Sequence, residues 1–375
     1  MSMEGQYKMK KPAYIILLIV VALFAMTGCK KKKAHIDDII KEYEVTIKPS
    51  PTPTITPEPT SEPEIIEETH EGEMRSSLSG LWVPIEIGNK RPYAIQFSNF
   101  KTVRNQWGIG QADIVYEAFV EGGITRFLAI GENFSGDRIG SVRSSRHYFV
   151  SFADEYDSIY IHYGKTKYAV AKLKKVGIDN LDGETGIGNT VFYRDKSMKA
   201  PHNAFTSLDK ILAGIKEKGY ETDHGQNFIP HYTFYEEDTD LINGLACNKL
   251  SIKYTDNKPY FIYDQEDKQY QRFQFGEIHK DSNTGEQLTF KNIIIQFVKE
   301  WNIDRNGYQT MDIEDVEGKG YYITNGKAVD ITWKKNEKNK WMRYYDSSGE
   351  ELTINSGKTY ISIFPDNKTK NVVIE

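Results

Sequence analysis

Cysteine is scarce in this sequence, because Cys29 and Cys247 are the only two among its 375 residues. Two cysteines cannot build the disulfide framework of a small secreted domain or a zinc site with four cysteine ligands. Modification of Cys29, argued below, would leave Cys247 without a partner in the chain, and a lone cysteine is most often simply buried. The sequence therefore excludes a fold that depends on disulfides.

Short motifs that identify many enzymes are missing as well. There is no Walker loop, no Gly-x-Ser-x-Gly nucleophile elbow, and no His-Glu-x-x-His or paired-cysteine metal motif. His147, His162 and His202 could meet in the fold and bind zinc, but their spacing matches no known metal motif. We therefore expect no metal and no other cofactor, and the sequence leaves enzymatic activity open.

The chain also lacks an excess of positive charge. It has 48 basic and 53 acidic residues, for a formal net charge of −5. Loss of residues 1–28 would remove three lysines and one glutamate and bring the charge to −7. Since general nucleic-acid binders carry a basic surface, we expect no nucleic-acid partner.

Only the N terminus carries a long apolar run. Residues 17–26 follow three lysines, are too short to span a membrane comfortably, and lead through two small residues to Cys29. This pattern predicts a lipoprotein signal peptide over 1–28 and a lipid on the Cys29 thiol. The protein would then be anchored on the extracytoplasmic face of the cell membrane. The alternative is an uncleaved anchor helix.

The composition of residues 29–75 predicts a linker that begins at the lipid-bearing Cys29. Lys30–Lys33 could support membrane binding, at about 1 kcal/mol for each basic residue near an anionic leaflet, or could simply be solvated. The prolines of residues 49–63 alternate with Thr, Ser and Glu, a composition that favours extended backbone. At about 3.1 Å per residue, such a linker reaches on the order of 100 Å from the membrane.

From residue 76 the sequence is typical of a globular protein. Runs of apolar residues predict strands over 91–97, 114–120, 126–130 and 158–163, and helical spacing predicts helices over 144–155, 167–176 and 208–218. We therefore predict an α+β or α/β domain over 76–245. Beyond it, short runs rich in Tyr, Ile, Val and Thr alternate with turns such as Asn325–Gly326, which predicts an all-β domain, sandwich or barrel-like, over 246–375.

The densest polar cluster of the first domain contains three arginines. Arg126 follows a predicted turn, and Arg143, Ser144 and Arg146 lie at the start of a predicted helix, where unpaired amides favour anions. Guanidinium groups there suit a phosphate, sulfate or carboxylate. The candidate ligand-binding residues are Glu121, Arg126, Arg143, Ser144, Arg146 and Asn203. The alternative is an internal ion-pair network of the arginines with Glu117 and Glu121.

Three residues are candidates for acid–base chemistry. Glu117 and Glu121 would lie about 13 Å apart on one strand, which is too far for a glycosidase pair. His162 ends a predicted strand, and His202 lies in the turn Ala200–Asn203. Glu117, His162 and His202 therefore stay candidates for catalysis. The aromatic residues of the β-rich segment, Tyr260 among them, are typical of a packed core, with a glycan-binding groove as the alternative.

Several segments in register resemble a known family. They are Arg91–Ile95, Gln111–Glu117, Glu121–Arg126, Ile139–Arg146 and Ala200–Asn203. Together they resemble the YerB-like lipoproteins of Gram-positive bacteria, and the resemblance covers essentially the whole chain after the linker. It implies an extracytoplasmic location and two domains, and it carries over no catalytic residues.

These observations favour a membrane-anchored envelope protein whose first domain binds an anionic ligand, a cell-wall component or a protein partner. One alternative is an enzyme that modifies cell-wall polymer through the Glu, His and Arg cluster. The other is a purely structural scaffold. The first two hypotheses predict that Arg143→Ala and Arg146→Ala abolish function in a folded protein, whereas the scaffold predicts that the same changes mainly lower stability.

Overall fold

The computed structural model of the chain describes residues 69–336 and 339–375. The predicted signal peptide, the lipid site at Cys29 and nearly all of the predicted linker lie outside the described residues. These described residues fall in one compact unit. Within the described ranges, no helix has both the length and the apolar character that crossing a membrane requires.

The first half of this unit alternates strands with short helices. Its strands are β1 (Glu73–Arg75), β2 (Trp82–Pro84), β3 (Tyr93–Asn99), β4 (Ile114–Phe119), β5 (Thr125–Gly131), β6 (Ile139–Gly140), β7 (Ile159–His162), β8 (Asn180–Asp182), β9 (Tyr193–Arg194), β10 (Ala204–Thr206) and β11 (Thr233–Phe234). Its α-helices are α1 (Ile85–Gly88), α2 (His147–Asp154), α3 (Lys167–Val176), α4 (Gly188–Val191) and α5 (Leu208–Lys218). Short 3₁₀ turns cover Lys101–Val103, Ile109–Gln111 and Glu121–Gly123.

The second half is built of strands. They are β12 (Leu245–Ala246), β13 (Lys249–Ile252), β14 (Tyr260–Asp264), β15 (Gln269–Gln274), β16 (Glu277–Ile278), β17 (Thr289–Phe290), β18 (Asn292–Val298), β19 (Glu300–Asn302), β20 (Gln309–Met311), β21 (Val316–Thr324), β22 (Lys327–Asn336), β23 (Asn339–Tyr345), β24 (Thr353–Ile354), β25 (Thr359–Pro365) and β26 (Val372–Ile374). A 3₁₀ turn covers Asp366–Asn371. Asn325 and Gly326 both have positive φ and join β21 to β22 in the predicted two-residue hairpin.

One central sheet draws strands from both halves of the chain. Its order is β12-β22-β21-β18-β25-β4-β5-β3-β7-β8, with β23 added beside β22. The halves join where β25 pairs in parallel with β4, from Thr359 opposite Ile114 to Ser362 opposite Glu117. A hairpin with the turn Glu121–Gly123 connects β4 to its antiparallel neighbour β5.

Both faces of the central sheet are covered, so its strands are apolar on both sides. Ile114 and Tyr116 of β4 pack with Leu128 of β5 on the face that α2 covers. The alternate residues Val115 and Phe127 face a second sheet of order β16-β15-β14-β13-β26, with β17 beside β15. Near-continuous apolar strands are typical of this arrangement.

The helix predictions are largely confirmed. α3 and α5 have the predicted bounds because Thr166 and Ser207 cap their N termini and Gly177 and Gly219, both at positive φ, end them. α2 begins later than predicted, after Arg146, and its N-cap makes no side-chain hydrogen bond to the helix.

The predicted fold class is confirmed: an N-terminal region that mixes strands and helices precedes an all-β C-terminal region. The proposed division into 76–245 and 246–375 stays a prediction, since strands from both ranges share the central sheet. Cys247 is fully buried, and burial raises the pKa of its thiol to about 11.

Candidate functional site: an arginine cluster beside the central hairpin

The β4–β5 hairpin, called the central hairpin below, and the segment that leads to α2 bring the three predicted arginines together. Arg126 lies near the start of β5, opposite Ser98 of β3. The segment that leads to α2 runs beside β3 as well, because the backbone amide of Arg143 donates to the Gln96 carbonyl at 2.8 Å. Arg126 and Arg143 therefore flank the same end of β3, and Arg146 follows at the last position before α2. We call Arg126, Arg143 and Arg146 the arginine cluster.

Arg126 is a buried cation that donates to no carboxylate of the described residues, although the charge of Glu121 acts to raise its pKa. Its side chain is 5% exposed and donates from Nη1 to the backbone carbonyl of Ser144. Within the described residues it forms no ion pair with a carboxylate. Burial lowers its pKa well below the ordinary value, and the charges of Arg146 and Arg143 lower it further. Such a charge is costly unless a partner compensates it.

Arg143 is the more accessible member of the cluster. It is half-buried and donates from Nη1 to the Pro201 carbonyl at 2.6 Å. Across the described part of the chain it too lacks an ion pair with a carboxylate. Burial lowers its pKa, and the charges of Arg146 and Arg194 add to that effect.

Arg146 is internally paired. Its Nε donates to Glu121 Oε1 at 2.7 Å, and its Nη2 donates to Glu121 Oε2. Burial acts to raise the pKa of Glu121, but the hydrogen bond and charge of Arg146 outweigh it and leave that pKa lowered. The hydrogen-bonded ion pair therefore exists between Arg146 and Glu121, while the Glu121 charge also acts on Arg126 without a hydrogen bond between the two in the described residues.

Polar side chains near the same end of β3 complete the site. His202 stacks on Phe100 with ring centroids 5.0 Å apart, and its Nδ1 lies 3.1 Å from Ser98 Oγ. Burial lowers the pKa of His202, and Arg143 and Arg126 contribute to this, so the ring is neutral at pH 7. The predicted ligand residue Asn203 accepts from Arg194 Nη1 at 2.8 Å.

Glu117 lies apart from the cluster. It is 0% exposed, and Arg272 Nη2 donates to its Oε2 at 2.7 Å. Further hydrogen bonds to its carboxylate come from Asn99, Thr125, Asn257 and Tyr360. Alternation along β4 and β5 places Glu117 on the face of the second sheet and Arg126 on the face of α2. This geometry favours a structural role for Glu117.

His162 and His147 also lie away from His202. His162 is 0% exposed at the end of β7, where its Nδ1 is 2.9 Å from the Gly164 carbonyl, and burial lowers its pKa despite Asp182. His147 Nε2 lies 2.8 Å from Thr310 Oγ1. In residues 69–336 and 339–375 no group of three His, Cys, Asp or Glu side chains is arranged to hold a metal ion.

Comparison with known proteins identifies the family to which the chain belongs. Residues 78–221 match the N-terminal domain model of a family described as "Protein of unknown function (DUF3048)", and residues 250–361 match its C-terminal domain model. The chain belongs to the DUF3048 family. It is 32% identical over 293 residues to "Putative lipoprotein YerB" of Bacillus subtilis strain 168, covering 78% of this chain and 87% of that protein.

A solved structure agrees with the fold of this DUF3048 member. The crystal structure of YerB protein from Bacillus subtilis superposes with a TM-score of 0.71 at 30% identity, covering 80% of this chain and 99% of the other. The resemblance to YerB-like lipoproteins is therefore confirmed. The N-terminal match lies within the described residues and contains the whole arginine cluster.

Sequence reasoning missed two features of this DUF3048 chain. Arg194 approaches the cluster from β9, with its guanidinium 4.3 Å from the Tyr163 ring centroid, and no local motif marks it. Arg272 pairs with Glu117 from more than 150 residues away along the chain. The register of the β4–β5 hairpin, by contrast, could have predicted that Glu117 and Arg126 do not meet. Ala118 pairs with Arg126, so Glu117 and Arg126 lie on opposite faces of the sheet.

Proposed function

We propose that this protein is a lipid-anchored envelope protein on the extracytoplasmic face of the membrane that binds an anionic ligand through Arg126 and Arg143. The predicted lipid on Cys29, the predicted linker over 29–75 and the lipoprotein name of the YerB relative support the location. The ligand would be an anionic small molecule, an acidic group of a cell-wall polymer or a partner protein's acidic group.

The observation that carries the proposal is the incomplete compensation of the Arg126 charge, since burial, Arg146 and Arg143 all act against it and Glu121, whose charge favours it, is hydrogen-bonded to Arg146. Arg126 is nearly buried, it makes one bond to a neutral carbonyl, and the accessible Arg143 next to it also lacks a carboxylate among the described residues. An incoming anion would supply the missing charge. The N terminus of α2 starts directly after Arg146 and adds positive potential at the same place.

The geometry favours binding over acid–base catalysis. Glu117 and His162 are both fully buried and hydrogen-bonded to the protein. His202 lies near the arginines, and as a neutral ring its second nitrogen can bond an anion or a hydroxyl group of the ligand. Ser144 offers its backbone carbonyl to Arg126 and Arg146 and so orients the cluster.

The test is thermal unfolding of the detergent-solubilised full chain in the presence of phosphate, sulfate and acetate. An anion at 100 times its dissociation constant stabilises the fold by about 2.7 kcal/mol. We expect this gain in the native chain and its loss in Arg143→Gln, because Arg143 bonds only a backbone carbonyl and its removal leaves the fold intact.

Arg305→Gln is the matched control, since Arg305 is exposed and outside the cluster. It must keep the anion-dependent gain. No gain with any anion in the native chain, together with a destabilised Arg143→Gln, would contradict the proposal and favour the structural scaffold.

A further inference from the structure

A basic groove lies on the other side of the central hairpin from the arginine cluster. It has a volume of about 580 Å³ and an apolar floor that includes Phe119, Tyr254, Pro259 and Tyr260. Phe273 stacks on the Tyr260 ring at a centroid distance of 4.6 Å and holds it in place. We call this the lysine groove, after the cations that line it, which are Lys253, Lys258 and Lys368.

The lysines of the groove are available to a ligand. All three are exposed, and none forms an ion pair in the described ranges. Lys368 Nζ lies 5.8 Å from the Phe119 ring centroid, so its charge stands above the apolar floor. The nearby carboxyl of Glu300 is buried, which raises its pKa to about 7, and the charge of Lys368 acts to lower that pKa.

A three-residue turn separates the lysine groove from the arginine cluster. Glu121 at its start holds Arg146, and Gly123 at its end packs against Thr255, which lines the groove. A Cβ added at Gly122 would meet no atom within 4 Å, so the crest of the turn is open. A chain-like ligand that passes over this open crest would contact both sides of the turn.

Resting on the function proposed above, we propose that the arginine cluster and the lysine groove are two subsites for one acidic glycan that straddles the turn Glu121–Gly123. Sugar rings present apolar C–H faces, which suit the partly exposed ring of Tyr260, with the buried rings of Phe119 and Tyr254 packed beneath the groove. The acidic substituents would pair with the lysines and with Arg126 and Arg143. An anionic monomer fills only the arginine side, whereas a chain of several rings fills both.

The groove chemistry favours a glycan over other polyanions. A polyphosphate has no ring to cover the aromatic floor, and an acidic peptide presents carboxylates on flexible stems that gain little from it. The acidic group itself is a carboxylate or a phosphate ester, because both fit guanidinium and ammonium groups.

The experiment measures binding to the detergent-solubilised full chain by calorimetry. The probes are galacturonate oligomers, phosphate-bearing dextran oligomers, neutral dextran, polyglutamate and the galacturonate monomer. We expect one or both acidic glycans to bind, neutral dextran to fail, and polyglutamate to bind more weakly. The stronger of the two acidic glycans identifies the acidic group.

Two sets of variants separate the subsites. Lys253→Gln, Lys258→Gln and Lys368→Gln combined should weaken oligomer binding about tenfold and leave monomer binding unchanged. The control combines Lys174→Gln, Lys216→Gln and Lys218→Gln, which remove the same charge from exposed helix positions and should change neither. Arg143→Gln should weaken oligomer and monomer alike.

Two outcomes overturn the two-subsite inference while the anion site stands. The first is an oligomer affinity that depends on Arg143 and not on the groove lysines. The second is polyglutamate binding as tightly as the glycans, which would show that the aromatic floor contributes nothing to the affinity. Failure of every anion, monomer and oligomer alike, would overturn the proposed function itself.

Discussion

At the scale of single residues, the buried pair of Glu117 and Arg272 dominates the interior. Both side chains are at most 1% exposed, and their ion pair spans 2.7 Å. The Arg272 guanidinium also lies 5.0 Å from the Phe127 ring centroid and 5.4 Å from that of Tyr360. A paired and hydrogen-bonded buried charge is tolerated, but one partner left alone is strongly unfavourable.

We predict that Arg272→Met lowers the free energy of unfolding by about 3–5 kcal/mol, because Glu117 would remain as an uncompensated buried charge. The double variant with Glu117→Gln should recover part of that loss. Urea unfolding measures both. A loss below about 1 kcal/mol, the range of exposed ion pairs, would show that Glu117 is not buried as a charge.

A second buried carboxyl predicts a pH dependence. Glu132 is 5% exposed beside Asp113 and accepts from Ser77 Oγ at 3.3 Å. Burial raises the pKa of Glu132 to about 7 and that of Asp113 to about 6. The folded state therefore favours the neutral acid of Glu132. Its contribution to stability is full below the ordinary pKa near 4.5 and is lost as the pH rises through about 7.

We expect the stability of the native chain to fall between pH 5 and pH 8, with about 2–3 kcal/mol of the fall due to Glu132. Glu132→Gln mimics the neutral acid, so this variant should match the native chain at pH 5 and exceed it at pH 8. Urea unfolding at both pH values is the measurement. Glu266→Gln, at an exposed position, is the control and should leave the pH slope unchanged.

At the scale of elements, the sequence was most informative where the signal is local. α3 and α5 were predictable because a capping hydroxyl and a terminal glycine mark their ends. The start of α2 was not, because the Ser145 amide bonds the Gly164 carbonyl and keeps that segment extended up to Arg146. A contact with a distant segment thus overrode the helical spacing at the start of α2.

The same distinction explains which parts of the candidate site were predictable. Arg126, Arg143 and Arg146 were expected together, and the hairpin and the strand-like path beside β3 do bring them together. Which arginine pairs with Glu117 was not predictable, since Arg272 reaches Glu117 only through the packing of the second sheet on the central sheet. Long-range pairing leaves no local pattern in a single sequence.

At the scale of the whole molecule, the parallel pairing of β4 with β25 makes the central sheet continuous across the chain. Tyr254 reinforces the junction, because its hydroxyl donates to the Glu117 carbonyl at 3.0 Å and lies 2.8 Å from Ser362 Oγ. Residues 76–245 and 246–375 thus share a core as well as a sheet. Shared burial of this kind couples the unfolding of the two segments.

We therefore predict that Ile361→Ala, at a fully buried position of β25, destabilises both segments equally by about 2–4 kcal/mol. Native-state hydrogen exchange measures this, with β5 reporting on the first segment and β21 on the second. Ile229→Ala is the control, since Ile229 is 53% exposed and should change neither strand. If protection falls in β21 while β5 keeps its native value, the segments unfold independently, and the division near residue 245 is an energetic boundary despite the continuous sheet.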